Sequence, residues 1–104
     1  MEEKEVLYFA GTKIRIEYIY DGHHKCHDAI LAQIFEEDFV FQIIAISEYE
    51  AGLIDGYIRR QFKDIHAVTY DYLNKESEEM IYSKIIKLEI FDDSHSETIE
   101  EMGN

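Results

Sequence analysis

The stretch of sequence that decides the fold is Lys13-Ile14-Arg15-Ile16-Glu17-Tyr18-Ile19-Tyr20. Its even-numbered residues are all aliphatic or aromatic, and three of its four odd-numbered residues are charged. An alternation with a period of two is typical of a β-strand that buries one face. An apolar run from Val6 to Ala10 precedes this strand, and the short link Ala10-Gly11-Thr12 predicts a hairpin between the two.

Two longer apolar runs follow the turn that Asp21-Gly22 predicts. They cover residues 29–35 and 39–46, each with one Gln, and the polar segment Glu36-Glu37-Asp38 between them has the length of a hairpin loop. We therefore expect two central strands of one antiparallel sheet. The start of a helix over residues 28–34 is an alternative that the pattern leaves open.

The second half of the chain predicts a further strand, a helix and a final strand. Leu53 to Ile58 form the fifth strand. Thr69 is a suitable N-cap for a short helix, whose narrow apolar stripe consists of Tyr70, Leu73, Ser77 and Met80. Residues 81–91 return to a period of two, with Tyr82, Ile86, Leu88 and Ile90 on one face. The predicted fold class is α+β: a single, mostly antiparallel sheet of five or six strands with one short helix before the last strand.

The chain is long enough for one domain. It has 104 residues, of which 46% are hydrophobic, and this is sufficient to bury a core. Pro is absent and Gly occurs five times, so no linker divides the sequence. We expect one α+β domain over residues 1–91 and an acidic, flexible C-terminal tail over residues 92–104.

The net charge of the chain argues against some classes of function. Asp and Glu number 23 against 10 Lys and Arg, and the formal net charge is -13. This sign opposes binding to phosphate backbones and anionic lipids, so we expect no nucleic-acid partner and no membrane association. No apolar run approaches the roughly 20 residues of a membrane-spanning helix. The single Cys26 and a charged start without a signal-peptide pattern favour the cytoplasm.

The densest group of potential metal ligands is His23-His24-Lys25-Cys26-His27-Asp28. Imidazole and thiolate groups are zinc ligands, but in an extended segment His24 and Cys26 lie on one face and His27 on the other. We predict no metal and no other cofactor, with His24, Cys26 and His27 as the candidate ligands if one binds. Nothing around Cys26 indicates an oxyanion hole, so we expect that the protein is not an enzyme.

Acidic residues cluster in segments predicted to be loops, helix or tail. Glu48 and Glu50 lie in the turn before the fifth strand, and Glu76 to Glu79 lie on the polar side of the predicted helix, so one exposed surface can gather both groups. Such a surface would attract a basic protein by electrostatic steering. The predicted partner-binding residues are Glu48, Tyr49, Glu50, Asp55, Glu76, Glu78 and Glu79.

Residues 41–82 contain a further pattern of two strands joined by a Tyr- and Gly-containing turn, followed by a helix with an aromatic-Leu pair and an aliphatic-Tyr end. In this chain the parts are Phe41 to Ser47, Tyr49-Glu50-Ala51-Gly52, Leu53 to Ile58, Tyr72-Leu73 and Ile81-Tyr82. The pattern resembles a family of small immunity proteins that accompany bacterial polymorphic toxins. The resemblance implies inhibition of a cognate toxin by tight binding, and it carries over no catalytic or contact residue.

Charge and resemblance together predict an immunity protein that neutralises a cognate toxin by direct binding through an acidic surface. We expect a monomer or a small homo-oligomer. Three alternatives remain open. They are a phage or plasmid anti-defence inhibitor of the same size and charge, a small metal-binding protein that uses residues 23–28, and a module that assembles through a sheet edge.

Overall fold

The computed structural model describes residues 6–46, 55–92 and 96–98. Within these ranges the chain forms seven strands and one helix. They are β1 (Val6–Tyr8), β2 (Lys13–Tyr20), β3 (His23–Gln33), β4 (Phe39–Ala45), β5 (Asp55–Arg59), α1 (Tyr70–Ile81), β6 (Ile85–Asp92) and β7 (Ser96–Thr98). The predicted turn at residues 48–50 and the start of the predicted fifth strand lie outside the described residues.

Five strands form one antiparallel sheet in the order β5-β4-β3-β2-β6. Strands β2 to β5 are neighbours in chain order, and β6 then joins the free side of β2. Helix α1 lies between β5 and β6 in sequence, so it connects one edge of the sheet with the other. The α+β class and the antiparallel sheet with one short helix before its last strand are confirmed.

The turn at Asp21 and Gly22 sets the register of the central hairpin. Both residues have positive φ, 51° at Asp21 and 76° at Gly22, as a two-residue hairpin turn requires and as Asp and Gly tolerate. Tyr20 consequently pairs with His23, and β3 begins directly after the turn. The helical alternative for residues 28–34 is wrong.

The predicted hairpin between β1 and β2 is also wrong. β1 pairs with β7, and Tyr8 exchanges two further backbone hydrogen bonds, of 2.9 and 3.1 Å, with Val68. The reason is the position of β2, which has β3 on one side and β6 on the other. A strand directs its backbone hydrogen bonds to two sides only, so β2 has no side left for β1.

Part of the predicted tail is in a strand. Ser96–Thr98 form β7, which pairs antiparallel with Val6–Tyr8, and β6 itself extends to Asp92. The middle residue of β1, Leu7, is 1% exposed. For the residues of 92–104 that the structure does not describe, the flexible tail stays a prediction.

Helix α1 begins where the sequence predicts. Thr69 is the N-cap, and its hydroxyl accepts a hydrogen bond from the N–H of Tyr72. The Gln61 side chain holds this cap, because its oxygen accepts from the Thr69 N–H at 2.8 Å and its nitrogen donates to the Thr69 hydroxyl at 3.0 Å. At the other end, Tyr82 adopts the left-handed conformation with φ of 56° and donates its N–H to the Glu78 carbonyl.

Helix α1 contacts both edge strands of the sheet. Met80 packs on β5 at Gly56, where an added Cβ atom would stand 1.9 Å from the Met80 Sδ. At β6, the Tyr70 hydroxyl donates a hydrogen bond of 2.5 Å to the Leu88 carbonyl oxygen. The helix therefore reaches both edges of the sheet, and the core includes side chains of both. Core side chains include Ile14, Ile16, Leu31, Phe41, Ile43, Ile58, Leu73 and Leu88.

A bulge in β6 changes which of its residues face the core. Ile85 and Lys87 pair with consecutive residues of β2, so Ile86 has no partner opposite it and the alternation shifts by one residue. Ile85 packs against the core, whereas Ile86 is 57% exposed. The predicted apolar face is therefore wrong for Ile86 and also for Tyr82, which precedes the strand and is 90% exposed.

Candidate functional site

Glu76 of α1 does not lie on the exposed side of the helix, where the sequence places it. The residue is 6% exposed. Its Oε1 accepts a hydrogen bond of 3.0 Å from the backbone N–H of Arg59 and lies 3.2 Å from the Nε of the same residue. A carboxylate tolerates burial when it is paired and hydrogen-bonded. Glu76 therefore joins α1 to the end of the edge strand β5 and is not presented to solvent.

Glu78 and Glu79 of the same helix also have partners. Glu78 Oε2 accepts a hydrogen bond of 2.8 Å from the N–H of Ile85, the first residue of β6. Glu79 Oε2 lies 2.5 Å from Nη2 of Arg59, and its side chain is 47% exposed. Of the three carboxylates, only that of Glu79 is largely at the surface, and there a guanidinium group offsets its charge.

These contacts cover parts of both sheet edges. An edge strand can add a strand from another chain when its backbone groups are uncovered. Here one carboxylate of α1 binds an N–H at the end of β5 and another binds an N–H at the start of β6. Tyr70 binds a carbonyl group of β6. Strand addition at these positions would first have to break the hydrogen bonds to α1.

The other predicted partner-binding side chains lie outside the part of the chain that the structure describes. Glu48, Tyr49 and Glu50 fall outside the described residues. Asp55 begins β5 and pairs with Ile44, and its side chain is not described. The partner-binding roles of these residues and of the helical carboxylates stay predictions.

Strand β3 separates the candidate metal ligands. Its alternation places His24 and Cys26 on the outer face of the sheet and His27 on the core face, where His27 is 3% exposed. The Nε2 of His27 lies 3.0 Å from the Tyr18 hydroxyl, and the Nε2 of His24 lies 3.6 Å from a carboxylate oxygen of Glu17. In the described part of the chain, no three His, Cys, Asp or Glu side chains are placed to hold a metal ion.

The outer face of the sheet carries charges in matched pairs. Arg15 donates two hydrogen bonds, of 2.6 and 3.0 Å, to the Asp28 carboxylate on the neighbouring strand. These bonds lower the pKa of Asp28 below its ordinary value. Lys87 and Glu89 pair at 2.9 Å. The described charges of this face are therefore largely offset locally.

A different arrangement occurs at residues 34–38, the connection between β3 and β4, which we call the Phe35 loop. Phe35 is 84% exposed. Glu36, Glu37 and Asp38 follow it and are all exposed, and none of the three has an ion-pair partner among the described residues. The loop therefore presents apolar contact area and unpaired negative charge together, as a surface that binds a basic protein would.

The sequence analysis did not identify Phe35 as a candidate site residue. The apolar pattern places it at the end of a buried strand, but β3 ends at Gln33. The Ile34 N–H donates to the Val40 carbonyl at 3.2 Å, so the hairpin closes before Phe35 and leaves the ring beyond the ladder. The signal in the sequence is an aromatic residue directly followed by three acidic residues.

Arg60, just after β5, anchors the Phe35 loop. Its backbone N–H donates to the Asp38 carbonyl at 2.9 Å, and its Nε donates to the Glu36 carbonyl at 3.3 Å. The Arg60 carbonyl accepts a hydrogen bond of 3.0 Å from the Tyr72 hydroxyl of α1. Burial, together with the nearby carboxylate of Glu76, raises the pKa of Tyr72. The hydroxyl therefore keeps the proton that it donates.

His66 connects the loop with the Arg60 side chain. Its Nε2 lies 3.1 Å from Nη2 of Arg60, and its Nδ1 lies 2.6 Å from the Nε2 of the Gln33 side-chain amide. The Phe35 ring stands edge-on to the imidazole, with 6.3 Å between the ring centroids. Both backbone and side-chain contacts therefore hold the loop in position.

No protein family, curated protein or solved structure matches this chain. Within the described residues, no helix combines the length and the apolar character that crossing a bilayer requires.

Proposed function

We propose that this chain is a non-enzymatic inhibitor, an immunity protein that neutralises a cognate bacterial toxin by binding to a basic surface of it. The Phe35 loop is the observation that carries the proposal. It combines a ring that is 84% exposed with three exposed carboxylates that have no ion-pair partner among the described residues. The net charge of -13 and the resemblance to immunity proteins support the same function.

Phe35 supplies the apolar contact of the proposed interface. An aromatic ring offers a large contact area at a small cost in side-chain entropy, and aromatic residues often dominate the binding energy of an interface. With most of its surface in water, Phe35 contributes little to the buried core. Its burial against a partner would remove this apolar surface from water.

Glu36, Glu37 and Asp38 supply the charge complementarity. A toxin that acts on nucleic acid presents Lys and Arg side chains to phosphates, and the three carboxylates match these in sign. Charge complementarity mainly raises the rate of association, and salt screens it beyond about 8 Å at physiological ionic strength. The ion pairs of the outer sheet face, such as Arg15 with Asp28, already offset each other and would steer a partner less.

The anchors of the loop lower the cost of binding. Arg60 bonds to the backbone of Glu36 and Asp38, and His66 packs against Phe35. A segment that is already in its bound conformation loses less conformational entropy when a partner docks. The proposed docking element is therefore preorganised.

Co-expression with the product of the neighbouring gene, followed by pull-down and affinity measurement, tests this function. We expect Phe35→Ala to raise the dissociation constant by about 30-fold or more, the effect of losing a dominant interface residue. Phe91→Ala is the matched control, because Phe91 is also an exposed ring, at 42%, but lies on the outer sheet face beside Arg15. Full binding by Phe35→Ala would overturn the role of the loop, and no complex with the neighbouring product would overturn the function.

A phage or plasmid anti-defence inhibitor would use the same docking chemistry. The identity of the captured protein separates the two functions. A toxin domain encoded beside the chain supports immunity, whereas a component of a host defence system supports anti-defence.

A further inference from the structure

The hydrogen bonds around His66 are compatible with one neutral form of the imidazole. A guanidinium group has donors and no acceptor, so the Nε2 of His66, 3.1 Å from Nη2 of Arg60, must accept with its lone pair. The proton of the neutral ring is then on Nδ1. Nδ1 lies 2.6 Å from the nitrogen of the Gln33 side-chain amide in the orientation that the structure gives. A protonated Nδ1 needs an acceptor at this position, so we assign the amide in the opposite orientation, with its oxygen towards the ring, since the two ends of an amide side chain are distinguished by their hydrogen bonds.

Protonation of the ring removes the contact with Arg60. The second proton occupies the lone pair of Nε2, so two cationic groups then face each other across 3.1 Å. Side chains in contact with His66 include Gln33 of β3, Phe35 of the loop and Arg60 after β5. Among the described residues His66 has no ion pair with a carboxylate that would offset this repulsion.

Arg60 transmits this change to the loop. Its Nε donates to the Glu36 carbonyl, while its Nη1 is buried and has no hydrogen-bond partner among the described residues. Loss of the His66 acceptor would leave a second nitrogen of the same guanidinium, in a partly buried position, without a hydrogen bond to His66, which is unfavourable. The guanidinium would then turn towards water and give up the Glu36 carbonyl.

We propose that His66 and Arg60 form a proton-sensitive latch on the Phe35 loop. The neutral imidazole holds the loop in its docking position, and the imidazolium releases it. This inference rests on the proposed function, because the loop that the latch controls is the proposed docking element. It adds regulation to that site: a partner bound at neutral pH is bound more weakly at mildly acidic pH.

The first test determines the tautomer of His66 by nuclear magnetic resonance on the intact chain. Two-bond nitrogen–proton spectra distinguish the two neutral tautomers of each imidazole. At about pH 7.5, where unperturbed imidazoles are neutral, we expect His66 to carry its proton on Nδ1. A proton on Nε2 at this pH overturns the latch.

The second test measures hydrogen exchange at the two amides that report on the loop. The Ile34 N–H bonds to the Val40 carbonyl and the Arg60 N–H bonds to the Asp38 carbonyl. From about pH 7.5 to about pH 5.5, imidazoles gain their proton. Over this range we expect the protection factors, corrected for intrinsic exchange rates, to fall about fivefold, the effect of losing one hydrogen bond.

Two variants separate the latch from a general effect of acid. His66→Gln keeps an acceptor for Arg60 that does not titrate in this range, so its protection factors should stay constant with pH. His23→Gln removes an exposed histidine at the start of β3 and should keep the wild-type response. A response that survives in His66→Gln, or no response in the wild type, overturns the latch.

Neither of these measurements needs a partner, so their outcome is independent of the proposed function. With a captured partner, the wild type should bind more weakly at about pH 5.5 than at about pH 7.5, and His66→Gln should not. If the chain captures no partner but the exchange results hold, the proposed function fails and the latch stands.

Discussion

The carboxylates of α1 and those of the Phe35 loop have the same charge in opposite settings. In α1, Glu76 and Glu78 accept hydrogen bonds from backbone N–H groups of the two edge strands. In the loop, Glu36 and Glu37 are exposed and have no ion-pair partner among the described residues. The first pair stabilises the fold, whereas the second pair is accessible to a partner. Burial and bonding partners separate these roles, and the number of acidic residues in a segment does not.

Removal of Glu76 should have the largest effect on stability. Glu76→Ala leaves the Arg59 N–H without its acceptor at a partly buried position, so we expect the free energy of unfolding to fall by about 2 kcal/mol. Urea unfolding followed by circular dichroism measures this change. Glu76→Gln keeps an acceptor oxygen and should recover part of the loss. A loss below about 0.5 kcal/mol for Glu76→Ala would show that this carboxylate is as dispensable as a surface one.

The pairing of Asp28 with Arg15 predicts a smaller effect that depends on pH. Arg15 lowers the pKa of Asp28 in the folded chain, whereas the unfolded value is about 3.9. The ion pair therefore stabilises the fold in full at pH values above the pKa that Asp28 has in the unfolded chain. This stabilisation is lost as the pH falls through the lower pKa that Asp28 has in the folded chain. We expect Asp28→Asn to lower the free energy of unfolding by up to about 1 kcal/mol at neutral pH.

Unfolding measured at several pH values checks this prediction. The difference between the wild type and Asp28→Asn should narrow below about pH 4, where the unfolded carboxyl group gains its proton. Glu37→Gln serves as the control, because Glu37 has no ion-pair partner among the described residues. If the wild type and Asp28→Asn differ by the same free energy of unfolding at neutral and at acidic pH, the ion pair does not contribute to stability.

Neutralising the loop should have the smallest effect on stability and still change binding. For Glu36→Gln with Glu37→Gln, we expect a change within about 0.5 kcal/mol in the free energy of unfolding. The association rate with a basic partner should fall, and its dependence on salt should weaken. Stopped-flow mixing at several salt concentrations measures both. The control is Glu79→Gln, because Arg59 already pairs with that carboxylate. If this variant lowers the association rate as much as the loop variant does, the carboxylates of the loop and those of the helix do not differ in function.

Elements with a signal in adjacent residues were predictable from the sequence. The N-cap Thr69 and the turn at Asp21 and Gly22 depend on local backbone preferences and local hydrogen bonds. Predictions that depended on distant partners were less accurate. The pairing of β1 with β7 and the bulge at Ile86 follow from which strands lie beside β2, and no periodicity within one segment contains this information.

The candidate site was less predictable than the fold. Its acidic residues are visible in the sequence, but its anchors come from elsewhere in the chain: Arg60 is 24 residues from Glu36, and His66 is 33 residues from Gln33. They meet because β4 and β5 return the chain to the end of β3. The exposure of Phe35 is likewise a result of where the hairpin closes.

By itself, the sequence determined the net charge, the alternating strands and the start of the helix, because each depends on residue type or on near neighbours in the chain. Only the tertiary structure decided that Glu76 is buried and that Phe35 is exposed. Helix α1 contacts both edge strands, where backbone N–H groups of Arg59 and Ile85 donate to its carboxylates. The β3–β4 connection lies at the end of its hairpin, where Phe35 is exposed. Side chains far apart in sequence compete for the same backbone partners and the same buried volume, and the three-dimensional fold determines which of them is buried.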